Sequence, residues 1–282
     1  MNALLLIAII LGVSLQDITK KIYNKSTALP GTYFFVTLSA FAASIFFVVS
    51  SGKLDFNPEI IPYSILFAAS YTAGVVGSVI AIAAGPLSLT SLIVSFSLML
   101  PTLYGLIFLN DPISIGLFPG LALLAASLFL INKRDKDVKI NLKWIISVLF
   151  AFLGNGFCTI SQKMQQVAFD GAYKNEFMII ALAITVLVCI VMTLTKERHI
   201  LKAQKWSGYA LGLLCGALNG IVNLFVMILS GLMPVSLMFP IISAGGIVVI
   251  FIVSQVFYKE KLSKAQLVGF ILGTVSVVLL NL

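Results

Sequence analysis

Residues 133–143 read KRDKDVKINLK, Lys133 to Lys143, the one dense run of charge in a chain of 282 residues. On both sides of it the sequence is a succession of apolar runs near 20 residues, the length that crosses a bilayer as a helix. Only a helix satisfies its own backbone within one such run. Five windows precede the charged run, at about 3–22, 32–51, 61–84, 88–109 and 113–132. Five follow it, at about 144–167, 177–195, 206–229, 235–257 and 265–282. The pattern predicts an all-α integral membrane protein of ten transmembrane helices, with residues 133–143 as a basic cytoplasmic linker between halves 1–132 and 144–282.

Composition agrees. Hydrophobic residues make up 60% and charged residues 10% of the chain, against about 25% charged in soluble domains. The formal charge of +8 does not point to nucleic acid, because the basic residues gather in short connections, where they orient helices. Cys158, Cys189 and Cys215 lie in apolar runs, where thiols act as small hydrophobes rather than as disulfide or zinc ligands. The run from Ala3 to Val13 has no basic residues before it and no cleavage pattern after it, so it reads as a retained helix rather than a signal peptide.

The halves align with each other. An offset of 142 pairs Gly12 with Gly154, Ile18 with Ile160, Thr19 with Ser161 and Lys21 with Lys163. Later an offset of 149 pairs Asp111 with Glu260, Ser114 with Ser263, Gly120 with Gly269 and Asn132 with Asn281. Five helices per copy is an odd number, so the second copy enters the membrane from the opposite side and the repeats are inverted. Connections after the first, fifth, seventh and ninth spans hold 15 of the 18 basic residues, leaving Lys53, Lys163 and Lys174 elsewhere. The positive-inside rule puts those connections in the cytoplasm and both termini outside; the expected location is the plasma membrane of a bacterium, as a multi-pass protein.

These residues resemble the drug/metabolite transporter superfamily, in its ten-helix EamA-like branch. The resemblance rests on the duplicated five-helix plan, on Gly12 followed by Lys20-Lys21, and on an acidic turn after the fourth and ninth spans. That turn reads Phe108-Leu109-Asn110-Asp111-Pro112 and Phe257-Tyr258-Lys259-Glu260-Lys261. A Trp usual before Gly12 or Gly154 is missing. The resemblance implies a pathway lined by spans 1, 3, 4, 6, 8 and 9, alternating access and a small organic metabolite.

Polar side chains at membrane depth face a bundle interior or a cavity, so polar stripes mark a pathway. The sixth span carries Gly154, Asn155, Cys158, Thr159, Ser161, Gln162, Gln165 and Gln166; the first carries Gly12, Gln16, Thr19 and Tyr23. The eighth carries Gly212, Gly216, Asn219 and Asn223, and the third Ser70, Tyr71, Gly74 and Ser78. Small residues at such positions also serve as helix-packing surfaces, whereas an amide has several groups to satisfy. In the fourth span Ser91, Ser95 and Thr102 share a face near Pro101, and in the ninth Ser236, Phe239 and Ser243 share one near Pro240, Gly245 and Gly246. Helices broken to expose backbone groups to a substrate are expected there, with simple kinks as the alternative. The substrate-binding set is Gln16, Ser70, Tyr71, Ser95, Asn155, Thr159, Asn219, Asn223, Phe239 and Ser243.

Asp17 is the one acidic residue that falls inside a span, about one turn from the cytoplasmic boundary. It is either a proton-coupling site or an interfacial partner of Lys20 and Lys21 at i+3 and i+4. His199, among Lys196, Arg198 and Lys202, reads as solvated. No catalytic set, metal site, cofactor or Gly-rich phosphate loop is expected. The expectation is a secondary active or facilitative transporter, monomeric or homodimeric, that moves a small neutral, zwitterionic or weakly cationic metabolite. An amino acid or amine comes first and a choline-like cation second, with protons as a further partner. A membrane enzyme or a flippase for a lipid-linked substrate is the alternative.

Overall fold

Hydrocarbon offers no partner for an open N–H or C=O, so the apolar runs fold as helices and the breaks between them fall at Gly, Pro or charge. The computed structural model describes residues 2–27, 30–110, 115–131, 141–257 and 264–280. They form α1 (Asn2–Ser26), α2 (Thr32–Ser50), α3 (Ile61–Ala84), α4 (Leu87–Phe96), α5 (Met99–Phe108), α6 (Leu117–Ile131) and α7 (Leu142–Ala168). The chain continues with α8 (Lys174–Lys196), α9 (Arg198–Ala203), α10 (Trp206–Leu232), α11 (Val235–Val256) and α12 (Lys264–Leu280). Among the described residues there is no strand.

Eight stretches are long and apolar enough to cross a membrane: α1, α2, α3 with the turn before it, α4 with α5, α7, α8, α10 and α11. Helices α6 and α12 are apolar but have 15 and 17 residues, about 22 and 25 Å at 1.5 Å per residue against a core of about 30 Å. Most of the basic linker, the acidic turn residues Asp111 and Glu260, and Asn132 and Asn281 lie outside the described residues.

Two expectations change, and one, the break in the fourth span, is met. The first span does not stop at Ile22: α1 runs to Ser26, which puts Asp17 nine residues from the helix end, about 13 Å deep, and carries Lys20 and Lys21 inside the helix. The fourth span is two helices, α4 and α5, parted at Ser97 and Leu98. The break sits one turn before Pro101, whose ring would clash with the carbonyl four residues back, that of Ser97. The ninth span is unbroken, because membrane helices tolerate the loss of one hydrogen bond at a proline such as Pro240. Its glycines give room instead: a Cβ on Gly245 would lie 2.4 Å from Ile10.

Helix α3 packs along α7, and α10 along α1 and α2. At the α3–α7 crossing a Cβ on Gly154 would sit 2.3 Å from the Gly74 nitrogen, and at the α2–α10 crossing one on Gly216 would sit 2.2 Å from the Ser39 carbonyl oxygen. These are backbone contacts that only small residues permit. Gly154→Leu should lower stability in detergent by about 3 kcal/mol, since backbone cannot give way as a side chain would. A denaturation series against wild type measures it; a loss below about 1 kcal/mol would show that the crossing tolerates a side chain.

The halves are tied together at their ends. The Glu197 carboxylate accepts the N–H groups of Thr32 at 2.8 Å and Phe34 at 2.9 Å, capping α2 where its donors are open. At the start of α8, Glu176 accepts the Asp55 N–H at 2.9 Å.

Candidate functional site

Six helices turn polar residues toward one interior cavity of about 140 Å3. Its lining comes from α1, α3, α4, α7, α10 and α11. A stripe at helical spacing supplies each wall, as with Tyr71, Gly74 and Ser78 on α3, or Asn155, Thr159 and Gln162 on α7. Ile9, Val13, Val226, Phe239 and Ile242 form its apolar parts. An apolar cavity of about 150 Å3 holds benzene, so the space suits a compact molecule.

One pole of the cavity is ionic. Lys20 Nζ donates to Asp17 Oδ1 at 2.9 Å and to Ser78 Oγ at 3.2 Å, and Ser91 Oγ donates to Asp17 Oδ2 at 2.6 Å. The side chains of Lys20 and Asp17 are 10% and 11% exposed, and both line the cavity. Lys21 instead reaches the Gly85 carbonyl at 3.5 Å. The pair thus binds α1 to α3 and α4, and its charges cancel.

The other pole is a chain of amides. Gln162 Nε2 donates to Asn223 Oδ1 at 2.8 Å, Asn223 Nδ2 to Asn219 Oδ1 at 3.0 Å, and Asn219 Nδ2 to Gln16 Oε1 at 3.0 Å. Tyr71 adds its hydroxyl to Asn219 Oδ1 at 2.9 Å, held there by stacking on Phe67 with ring centroids 5.4 Å apart. Asn219 therefore joins α1, α3 and α10 in one network. Such networks are stiff when complete and costly when broken.

The break between α4 and α5 faces the same space. Asn155 Nδ2 donates to Ser97 Oγ at 2.6 Å, and Ser243 Oγ on α11 donates to the Ser95 carbonyl at 2.9 Å. A backbone carbonyl at the break is thus taken up by α11, while α7 holds the Ser97 hydroxyl beside it, as irregular backbone at membrane depth requires.

Of the residues selected from sequence, Gln16, Asp17, Tyr71, Ser95, Asn155, Thr159, Asn219, Asn223, Phe239 and Ser243 line the cavity. Ser70 does not: its carbonyl abuts Gly154 at the α3–α7 crossing, because neighbours on a helix point about 100° apart and Tyr71 holds the inner face. The binding set read from sequence does not include Lys20 and Gln162, which also line the cavity. Lys20 stands at i+4 from Gln16 and i+3 from Asp17, so helical spacing alone groups the three.

No protein-family model matches the chain, and no curated protein matches it. Among solved structures, one described only as "Crystal structure of protein" superposes over 97% of this chain and 98% of its own, with a TM-score of 0.72 and 10% sequence identity. At that identity the likeness is one of fold.

Proposed function

We propose that this chain is a secondary active or facilitative transporter rather than an enzyme, moving a small neutral, zwitterionic or weakly cationic metabolite by alternating access. The observation that carries the reading is the interior cavity of about 140 Å3, whose largely apolar wall carries an electrically cancelled ion pair at one pole and an amide chain at the other. The balance disfavours a phosphorylated anion and suits a zwitterion, with amino acids and amines first and choline-like cations second. Its six lining helices are the spans that a ten-helix, EamA-like drug/metabolite transporter would use.

Two kinds of observation support inverted five-helix repeats. Helix pairs recur when the halves are exchanged: α3 with α7 answers α10 with α1, and α2 with α10 answers α8 with α3. Hydrogen bonds recur as well. Ser127 Oγ donates to the Gly269 carbonyl and Ser276 Oγ to the Gly120 carbonyl, both at 2.6 Å and both related by the offset of 149. Lys20 to Ser78 is answered by Gln162 to Asn223, and Lys21 to the Gly85 carbonyl by Lys163 to the Ser230 carbonyl at 2.9 Å. With Lys20 and Lys21 inside α1, 13 basic residues remain on the proposed cytoplasmic side of a bacterial plasma membrane against three elsewhere. Both termini then lie outside.

A thermal-shift screen of the purified protein over amino acids, amines, choline and sugar phosphates tests the reading. A ligand at 100 times its Kd adds about 2.7 kcal/mol of stability. A zwitterionic or neutral compound should raise the melting temperature, and Asn219→Ala should weaken its binding about 10- to 100-fold by orphaning Gln16, Tyr71 and Asn223. Stabilisation by sugar phosphates alone, unchanged in Asn219→Ala, would sink the assignment.

A further inference from the structure

A second depression, of about 550 Å3, lies on the outer surface where α3, α7 and α8 meet. Small side chains form its floor, Ala69, Ala73 and Gly77 on α3, and its lining spans Ile65 to Ile80. That is 15 residues, about 22 Å along the helix, more than the half-thickness of about 15 Å that one leaflet's chains fill. It opens outward: Ile65, Phe150 and Val188 on its rim are 53%, 56% and 45% exposed.

Its two ends differ in chemistry. On α8 the lining residues Ile184, Val188 and Met192 recur every four positions, and the next residue on that stripe is Lys196. Lys196 Nζ lies 5.8 Å from the ring centroid of Tyr33, which closes the same end of the groove. Arg198 follows two residues later and is exposed. The nearby Glu197 carboxylate is engaged by the N–H groups of Thr32 and Phe34. So the apolar channel ends under an aromatic ring and a cation, the arrangement that meets a lipid at its headgroup level.

We propose that this groove holds an acyl chain of an anionic phospholipid from the surrounding bilayer, with Lys196 and Tyr33 at the phosphate. The inference does not depend on what the interior cavity carries. On the topology proposed above the cationic end meets the cytoplasmic leaflet, where anionic lipids concentrate.

The test uses the full chain purified in a mild detergent, mixed with phosphatidylglycerol or with phosphatidylcholine of identical chains, and native mass spectrometry to count retained lipid. Wild type should retain phosphatidylglycerol in preference. Lys196→Ala should cut that preference about fivefold, the effect of one basic residue at a membrane surface. Ala69→Trp, and Val188→Trp as a second filler from the opposite wall, should remove both lipids while the melting curve shows folded protein. Equal retention of the two lipids by wild type, or unchanged retention in both folded filler variants, would overturn the proposal. So would disulfide crosslinking of Val188→Cys between two copies in native membranes, which would give the groove to a second chain.

Discussion

Lys20→Met is expected to destabilise the folded protein by about 3–5 kcal/mol, because it leaves Asp17 as an uncompensated charge in a low-dielectric interior. The loss belongs to the broken pair rather than to the pair's own worth, since replacing both members of a buried pair is often near neutral. The second half shows what a neutral replacement looks like. At the offset of 142, Asp17 corresponds to Thr159 and Lys20 to Gln162, and Gln162 makes the equivalent bond to α10. The double variant Asp17→Thr/Lys20→Gln should therefore recover to within about 1 kcal/mol of wild type, giving a coupling energy of several kcal/mol in the double-mutant cycle. Denaturant unfolding in detergent reads all four proteins. A double variant as unstable as the worse single one would show that the ion pair is not a closed unit.

The same pair marks where the sequence ceased to be a sufficient guide. Hydropathy locates helices well in a membrane because the cost of an open backbone is uniform along a span, and so α3 and α10 begin at Ile61 and Trp206, where the apolar runs do. Helix ends are another matter. Lys20 and Lys21 look like a boundary because lysine favours the headgroups, yet α1 continues to Ser26 and Lys20 is matched by Asp17 and Ser78. Hydropathy scores each residue alone and does not see a partner on another helix. The amides Asn155, Asn219 and Asn223 were legible because a polar group in hydrocarbon implies a polar neighbour. Which neighbour was not: Tyr71 and Gln16 meet Asn219 through the crossings of α3, α1 and α10, which a single helix face does not encode. Pro101 and Pro240 make the same point, since one parts α4 from α5 and the other lies within a continuous α11.

Asp17→Asn is expected to abolish substrate accumulation driven by a pH gradient while leaving substrate exchange in place. Among the described residues lining the cavity, Asp17 and Lys20 are the charged ones, and Asp17 is the one that can become neutral by taking up a proton. Binding a proton there would remove the negative half of the pair and change the cavity from neutral to cationic. Ser91, which donates to Oδ2 from α4, and Lys20, which donates to Oδ1, would then face a neutral carboxyl, with one oxygen turned donor and the other accepting without a charge. Protonation would thus weaken the tie between α1 and α4 and release Lys20 from its counter-charge, the kind of coupling a proton-driven cycle needs. The size of the effect has a ceiling. One pH unit is worth about 1.4 kcal/mol per proton, enough for about tenfold accumulation when one proton accompanies each substrate. Wild type in liposomes should approach that ratio, and Asp17→Asn should stay at unity. The variant also leaves Lys20 without its counter-charge, so Asp17→Asn/Lys20→Gln, neutral at both positions, is measured beside it, with exchange as the control for folded protein. Gradient-driven accumulation that persists in both variants would reduce Asp17 to a structural partner of Lys20, and coupling would have to be sought outside this cavity.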